Sequence, residues 1–237
     1  MNSRGRGRSM AEATLIISSK NYSSWSLRGW LITRMSGLPF YEKNIALDDP
    51  STREELLLRS SSILVPSLIH DEFAIWDTLA IAEYLNELRP EARMLPADRR
   101  ARARCRSISA EMHSGFSALR SSLPMNLRSR RTEFKVWSSA QADIDRIGVI
   151  WRECLATWGG PFLFGAQYTI ADAMYAPVCT RFRTYGVRLD DACAAYCVQV
   201  LALRDMVEWT RAAMDELGEV SELEVEFYPA IETTGKA

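Results

Sequence analysis

The hydrophobic pattern of this 237-residue chain changes period once, near residue 99, and that change limits the folds open to it. Before it, short runs of strand character alternate with helical stripes. TLII at 14–17 is β-branched, SSKNYSSWS breaks it, and Leu27, Trp30, Leu31 and Met35 then recur at helical spacing. Gly37 suits the left-handed residue after a helix and Pro39 blocks a restart, so 40–45 reads as a second strand and the unit as β-α-β. Asp48 to Ser62 is polar, with a short helix expected about Glu54–Leu58. VPSLIHDEFAI then reads as two short strands around a turn at Asp71 and Glu72, and Thr78 starts a helix with Ile81, Tyr84, Leu85 and Leu88 on one face. RPEARMLPADR, 89–99, has two prolines and no period and is expected to be a linker. Beyond it everything is helical. Ile108, Met112, Phe116, Leu119 and Leu123 predict one long helix, and Ile144, Ile147, Trp151, Leu155 and Trp158 another ended by Gly159-Gly160. Residues 169–185 and 191–216 supply more. The expected architecture is a flexible N-terminal extension at 1–13, an α/β domain at 14–89 and an all-α domain at 100–237.

Composition decides which functions remain. Hydrophobic residues make up 47% and charged residues 25%, enough for a packed core and against wholesale disorder. With 29 Lys+Arg against 30 Asp+Glu the net charge is -1, which gives no reason to expect nucleic acid or an anionic membrane as partner. No apolar run approaches the roughly 18 residues of a membrane span. The first ten residues, MNSRGRGRSM, carry arginines without an apolar segment, so they read as a basic extension, with Met10 an alternative start. Five cysteines, an odd number without a Cys-x-x-Cys pair, point to reduced thiols and a cytoplasmic protein. A serine-histidine-acid hydrolase is excluded, since Gly-x-Ser-x-Gly is absent and the histidines are His70 and His113 alone. Phosphate-binding glycine loops are absent, and Cys193 with Cys197 makes a poor metal site, so no metal is expected. Residues 15–31 hold no cysteine, which argues against dithiol redox chemistry.

Two short segments carry chemistry of their own. Val65-Pro66 stands just before a strand, where proline signals an edge or a cis turn because it cannot donate a ladder hydrogen bond. A cis bond there would turn the N–H and C=O of Val65 outward, ready to pair with an extended ligand. Twelve residues on, Asp77-Thr78 opens a helix and brings a carboxylate, a hydroxyl and free N–H groups to a positive dipole end. Together they suit a ligand with an α-carboxylate and an α-amino group.

VPSLIHDEFAIWDTLAIAEYLNE resembles the glutathione-site segment of the cytosolic glutathione transferases, and GPFLFGAQYTIADAMYAPV resembles their second-domain signature, in which Thr169 and Asp172 form a capping box. With NYSSWSLRGWL the resemblance runs from about Leu15 to Ala176, closest to the serine-type zeta-like and theta-like classes and bacterial relatives. It implies a thioredoxin-like first domain that binds glutathione as co-substrate through Val65, Pro66, Asp77 and Thr78, an all-helical second domain, and a homodimer. It also implies a hydroxyl that stabilises the glutathione thiolate for attack on an electrophilic small molecule. Counting back from Gly37 places that hydroxyl at Ser23, with Ser24 and Tyr22 as rivals. The electrophile pocket falls to Trp25, Met112, His113, Phe116 and Arg120, although Met112 and Phe116 suit ordinary core better than a pocket wall.

Departures from the family pattern keep other readings open. Leu64 replaces a polar residue before Val65, Asp77 and Thr78 replace Glu or Gln and Ser, and Glu72 takes the turn glycine. A transferase-fold scaffold with little turnover and a zeta-like glutathione-dependent isomerase are the alternatives. Between Arg99 and Lys135 ten basic residues face only Glu111 and Glu133, a surface that the acidic stretch from Asp205 to Glu232 would balance.

Overall fold

The computed structural model describes residues 13–45, 64–131 and 134–216. The helix expected at Glu54–Leu58, residues 1–12 of the extension, Glu133 and the acidic stretch past Glu216 lie outside the described residues. The strand β1 (Ala13–Ile17) is buried on both faces: Leu15 and Ile17 enter the main core, while Ile16 packs with Ile45, Val65 and Ile69 on the other side. The helix α1 (Ser24–Ser36) follows, ended by Gly37 at φ 69°, and the chain returns as β2 (Phe40–Asn44) parallel to β1. Strands β3 (Ser67–His70) and β4 (Phe73–Ile75) add an antiparallel hairpin, giving the order β2-β1-β3-β4. Its two-residue turn places Asp71 and Glu72 at φ 48° and 68°, the left-handed pair that the strand twist demands. Helix α2 (Thr78–Leu88) completes this layer and packs on α1.

The rest is helical: α3 (Arg99–Ser114), α4 (Ser117–Ser122), α5 (Ser138–Trp158), α6 (Ile170–Tyr185), α7 (Asp191–Leu201) and α8 (Arg204–Asp215). Helix α6 is central. It is buried over almost its whole length, meets α1, α3 and α7, and starts in the expected capping box, where Asp172 accepts from the Thr169 N–H at 2.8 Å. The Asp172 carboxylate also accepts from the Leu163 N–H and the Tyr196 hydroxyl, so one buried acid ties α6, α7 and the 159–169 loop together. The rings of Tyr175, Phe182 and Tyr196 surround Trp151 from α5.

Two expectations change. The stripe from Ile108 to Leu123 is broken into α3 and α4, because Phe116 adopts φ 57° and the Gly115 N–H closes on Glu111. Phe116 stays in the same apolar core as Ile108, Met112, Leu119 and Leu123, which is why the stripe looked continuous. Residues 89–99 are also more than a linker: Pro90–Ala92 form a 3-10 turn, Met94 is fully buried, and its carbonyl accepts from the Ile170 N–H at 3.0 Å.

Candidate functional site

The turn before α1 carries three candidate hydroxyls, each in a different state. Ser23 is the N-cap: its Oγ accepts from the Ser26 N–H at 3.2 Å and donates to the Ser26 Oγ at 2.8 Å. Ser26 in turn accepts from the Ser18 N–H at 3.0 Å. A hydroxyl hydrogen rotates readily, so the Ser23 proton can leave Ser26 for a better acceptor such as a thiolate. Ser24 is buried and its Oγ accepts from the Arg181 guanidinium at 3.0 Å, which leaves its O–H as the donor. Tyr22 is half-buried and its N–H reaches the Ser19 Oγ.

Behind these hydroxyls the site is electropositive. Arg28 is fully buried, donates to the carbonyl of Met174 at 2.7 Å and to that of Ser24 at 3.4 Å, and keeps one buried guanidinium nitrogen without a partner. Burial, then Arg181 and Arg120, pull its pKa well below the usual arginine value. Arg181 also donates to the carbonyl of Leu123, so α6 reaches both the start of α1 and the end of α4. Trp25 lies between charges, its ring 4.5 Å from the Arg28 guanidinium and 5.5 Å from that of Arg120.

The second cluster forms at the start of α2. The bond before Pro66 is cis, and among the described residues no hydrogen bond ends on the Val65 backbone. Pro66 packs on α1 at Gly29, where a Cβ would lie 2.5 Å from the proline ring. Asp77 caps α2 through Oδ1, which accepts from the N–H groups of Leu79 at 3.0 Å and Ala80 at 3.4 Å. Its other oxygen meets His113 Nε2 at 2.9 Å. Thr78 beside it is buried. The His113 ring stands edge-on to Trp25 at 5.0 Å, so Trp25 and His113 link the N-termini of α1 and α2.

The structure thus brings together Trp25, His113, Arg120 and Asp77, whereas Met112 is fully buried in the core and Phe116 is buried at the break before α4. Leu64 is exposed. Sequence reasoning missed Ser26, whose signal was the Ser-x-x-Ser spacing with Ser23, and Arg181 and Glu216, which reach the turn from 157 and 195 residues away. The cysteines are all buried, and burial pushes the thiols of Cys105 up to about 12, Cys154 to about 11 and Cys193 to about 12, which suits packing and not nucleophilic attack. Among the described residues no group of three His, Cys, Asp or Glu is arranged to hold a metal ion, and no helix is long and apolar enough to cross a membrane. A separate surface cavity of about 680 Å³ lies by β2 and the C-terminal end of α1, lined by Trp30, Arg34, Tyr41, Asp205 and Glu208 among others, and includes none of these site residues.

Two family models match this chain. Residues 22–88 match the family described as glutathione S-transferase, N-terminal domain, and residues 98–214 match glutathione S-transferase, C-terminal domain. A probable maleylacetoacetate isomerase of Caenorhabditis elegans is 26% identical over 65% of this chain and 72% of its own length. The maleylacetoacetate isomerase of Rattus norvegicus is 31% identical over 53% of this chain, and the match spans only 56% of the rat protein. Among solved structures, a glutathione transferase homolog from Burkholderia GL BGR1 with bound glutathione superposes with a TM-score of 0.66 at 24% identity, covering 86% of this chain and 99% of that one. Glutathione transferase Omega 3C from Trametes versicolor gives 0.66 at 18% identity, over 85% and 90% of the two chains.

Proposed function

Because this chain belongs to the glutathione S-transferase family, we propose that it binds glutathione between the start of α1 and the Val65 to Thr78 segment and activates its thiol as thiolate. The observation that carries the reading is the junction at which Trp25, His113 and Asp77 join the N-termini of α1 and α2. Two positive helix ends then face one ligand, one suited to sulfur and the other to the γ-glutamyl carboxylate. The Val65 N–H and C=O pair with the cysteinyl backbone of the ligand as an added strand. Ser23 donates its hydroxyl hydrogen to sulfur, and Ser24 and Tyr22 stand as the alternative donors. The buried guanidiniums of Arg28 and Arg181 add positive potential behind α1, which also favours thiolate over thiol. In the transfer reaction the thiol proton leaves to solvent, a carbon–sulfur bond forms at the electrophilic carbon, and the leaving group departs with its electron pair.

A second reading, a glutathione-dependent isomerase, is favoured by the names of the curated relatives. There the same thiolate adds to an electron-poor double bond, the new single bond rotates, and expulsion of the thiolate restores glutathione unchanged. Both readings share the thiolate. Titrating the chain with glutathione and following thiolate ultraviolet absorbance near neutral pH tests them together: an absorbance that saturates supports the site, and none at millimolar glutathione rejects it. Product analysis with 1-chloro-2,4-dinitrobenzene and with a cis-enone acid then separates transfer from isomerisation.

A further inference from the structure

We propose that Glu216, just past α8, is a positioning residue for the Ser23 hydroxyl: its carboxylate fills the polar hollow of the 19–21 turn and holds that turn against the N-terminus of α1. The proposal rests on the thiolate reading above and adds to it a residue from the far end of the described chain. One Glu216 oxygen accepts from the Ser19 hydroxyl at 2.8 Å and the Asn21 N–H at 3.1 Å. The other accepts from the Lys20 N–H at 3.0 Å and the Asn44 side-chain amide at 3.3 Å. Two successive backbone N–H groups turned toward one anion form a nest, here filled by the chain's own carboxylate.

The same turn delivers Ser23, whose N–H donates to the Ser19 carbonyl at 2.9 Å. Glu216 is itself anchored. Arg128 donates to the carbonyls of Ala213 and Glu216, and the Trp209 indole N–H donates to the Lys20 carbonyl at 2.9 Å. Asn21 is held from yet another direction, its Oδ1 accepting from the N–H groups of Leu127 and Arg128. Burial opposes the charge on Glu216, but the donors from Lys20, Ser19, Asn21 and Asn44 outweigh it and hold its pKa below the usual carboxylate value. Removing that carboxylate leaves a hydroxyl and two N–H groups of the turn to solvent, and Ser23 loses its fixed approach to sulfur.

The test uses the full chain as wild type, E216A, E216D and S19A. Amide hydrogen exchange is expected to show the Lys20, Asn21 and Ser23 N–H groups protected in the wild type and at least ~10-fold less protected in E216A, with the α6 core unchanged. Glutathione titration by thiolate absorbance is expected to show the bound-thiol pKa about one unit higher in E216A, ~10-fold less thiolate at a pH below both values, with KM for glutathione within about twofold. E216D and S19A fall between. Unchanged exchange at 20–23, or an unchanged thiol pKa in both E216A and S19A, overturns the proposal. So does a loss of glutathione affinity as large as the loss of turnover. A wild-type chain that shows no thiolate signal rejects the thiolate reading instead, while the exchange rates still decide whether Glu216 holds the turn.

Discussion

At the scale of single residues, Ser23 has two duties that a substitution separates. Its Oγ caps α1, and its hydrogen is held by Ser26 until a stronger acceptor arrives. Ser23→Ala is therefore expected to cost about 1 kcal/mol of stability from the lost cap and, apart from that, to raise the bound-thiol pKa and lower turnover roughly ten- to a hundredfold near neutral pH. Glutathione affinity should change little, because Val65, Asp77 and Thr78 hold the rest of the ligand in the proposed complex. Steady-state kinetics with 1-chloro-2,4-dinitrobenzene check this, with Ser24→Ala and Tyr22→Phe as parallels, and a silent Ser23→Ala would pass the role to one of them. Asp77 also divides in two, since one oxygen caps α2 and the other faces His113. Asp77→Asn keeps an acceptor for the cap and removes the charge, so it is expected to weaken glutathione binding by about 1–3 kcal/mol with a nearly native melting temperature. Asp77→Ala should lose both. Equal dissociation constants for Asp77→Asn and wild type would remove Asp77 from the ligand site.

At the scale of elements, the packing of α1 on the Val65-Pro66 segment sets how tightly the two halves of the site meet. Gly29 makes this approach possible: a Cβ there would meet Pro66 Cγ at 2.5 Å and Cβ at 2.6 Å, and a proline ring has little freedom to turn aside. Gly29→Ala gains up to about 1 kcal/mol in helix propensity but overpacks the contact at a cost of about 1–3 kcal/mol. The expected outcome is a lower denaturation midpoint with a higher KM for glutathione, because Pro66 moves Val65 with it. A variant at least as stable as wild type with unaltered KM would show that the contact relaxes freely. The break between α3 and α4 acts at the same scale, since it turns Arg120 back over Trp25 while His113, at the end of α3, reaches Asp77.

At the scale of the whole molecule, Glu216 is tied to the 19–21 turn, so one carboxylate stabilises a turn almost 200 positions away in the sequence. The folded-state pKa of Glu216 lies below its unfolded value, with the Lys20 N–H and the Asn44 amide on its carboxylate, Arg128 on its main-chain carbonyl and the Lys20 ammonium engaged with Glu42. A depressed carboxylate pKa contributes stability that is complete above the unfolded value of about 4.3 and is lost as pH falls through the folded value. The stability difference between wild type and Glu216→Gln is thus expected at pH 7 and to shrink below about pH 4. Urea denaturation at several pH values measures it, and a difference independent of pH would contradict the assignment. Two basic residues of α3 pair with acids of neighbouring helices, Arg104 with Glu153 and Arg106 with Glu83. A homodimer remains our expectation from the family resemblance. Equilibrium sedimentation at micromolar concentration should return about twice the chain mass of 26.8 kDa, and a single chain mass would reject it.

Signals that act within one turn of helix or one pair of strands were legible in the amino-acid sequence. The Asp77 cap, the left-handed Gly37, the Thr169–Asp172 box and the two-residue turn at Asp71-Glu72 each satisfy backbone groups a few residues away, so their spacing carries them. The change from mixed to helical period likewise carried the order of the layers. Tertiary structure alone decided which partners those caps share. Ser24 with Arg181, Asp77 with His113, and the 19–21 turn with Glu216 join residues 36 to 197 positions apart, and hydrophobic period holds no information about a polar pair at such separation. The break at Phe116 belongs with them, because an apolar stripe records which residues are buried and not whether the backbone between them stays helical.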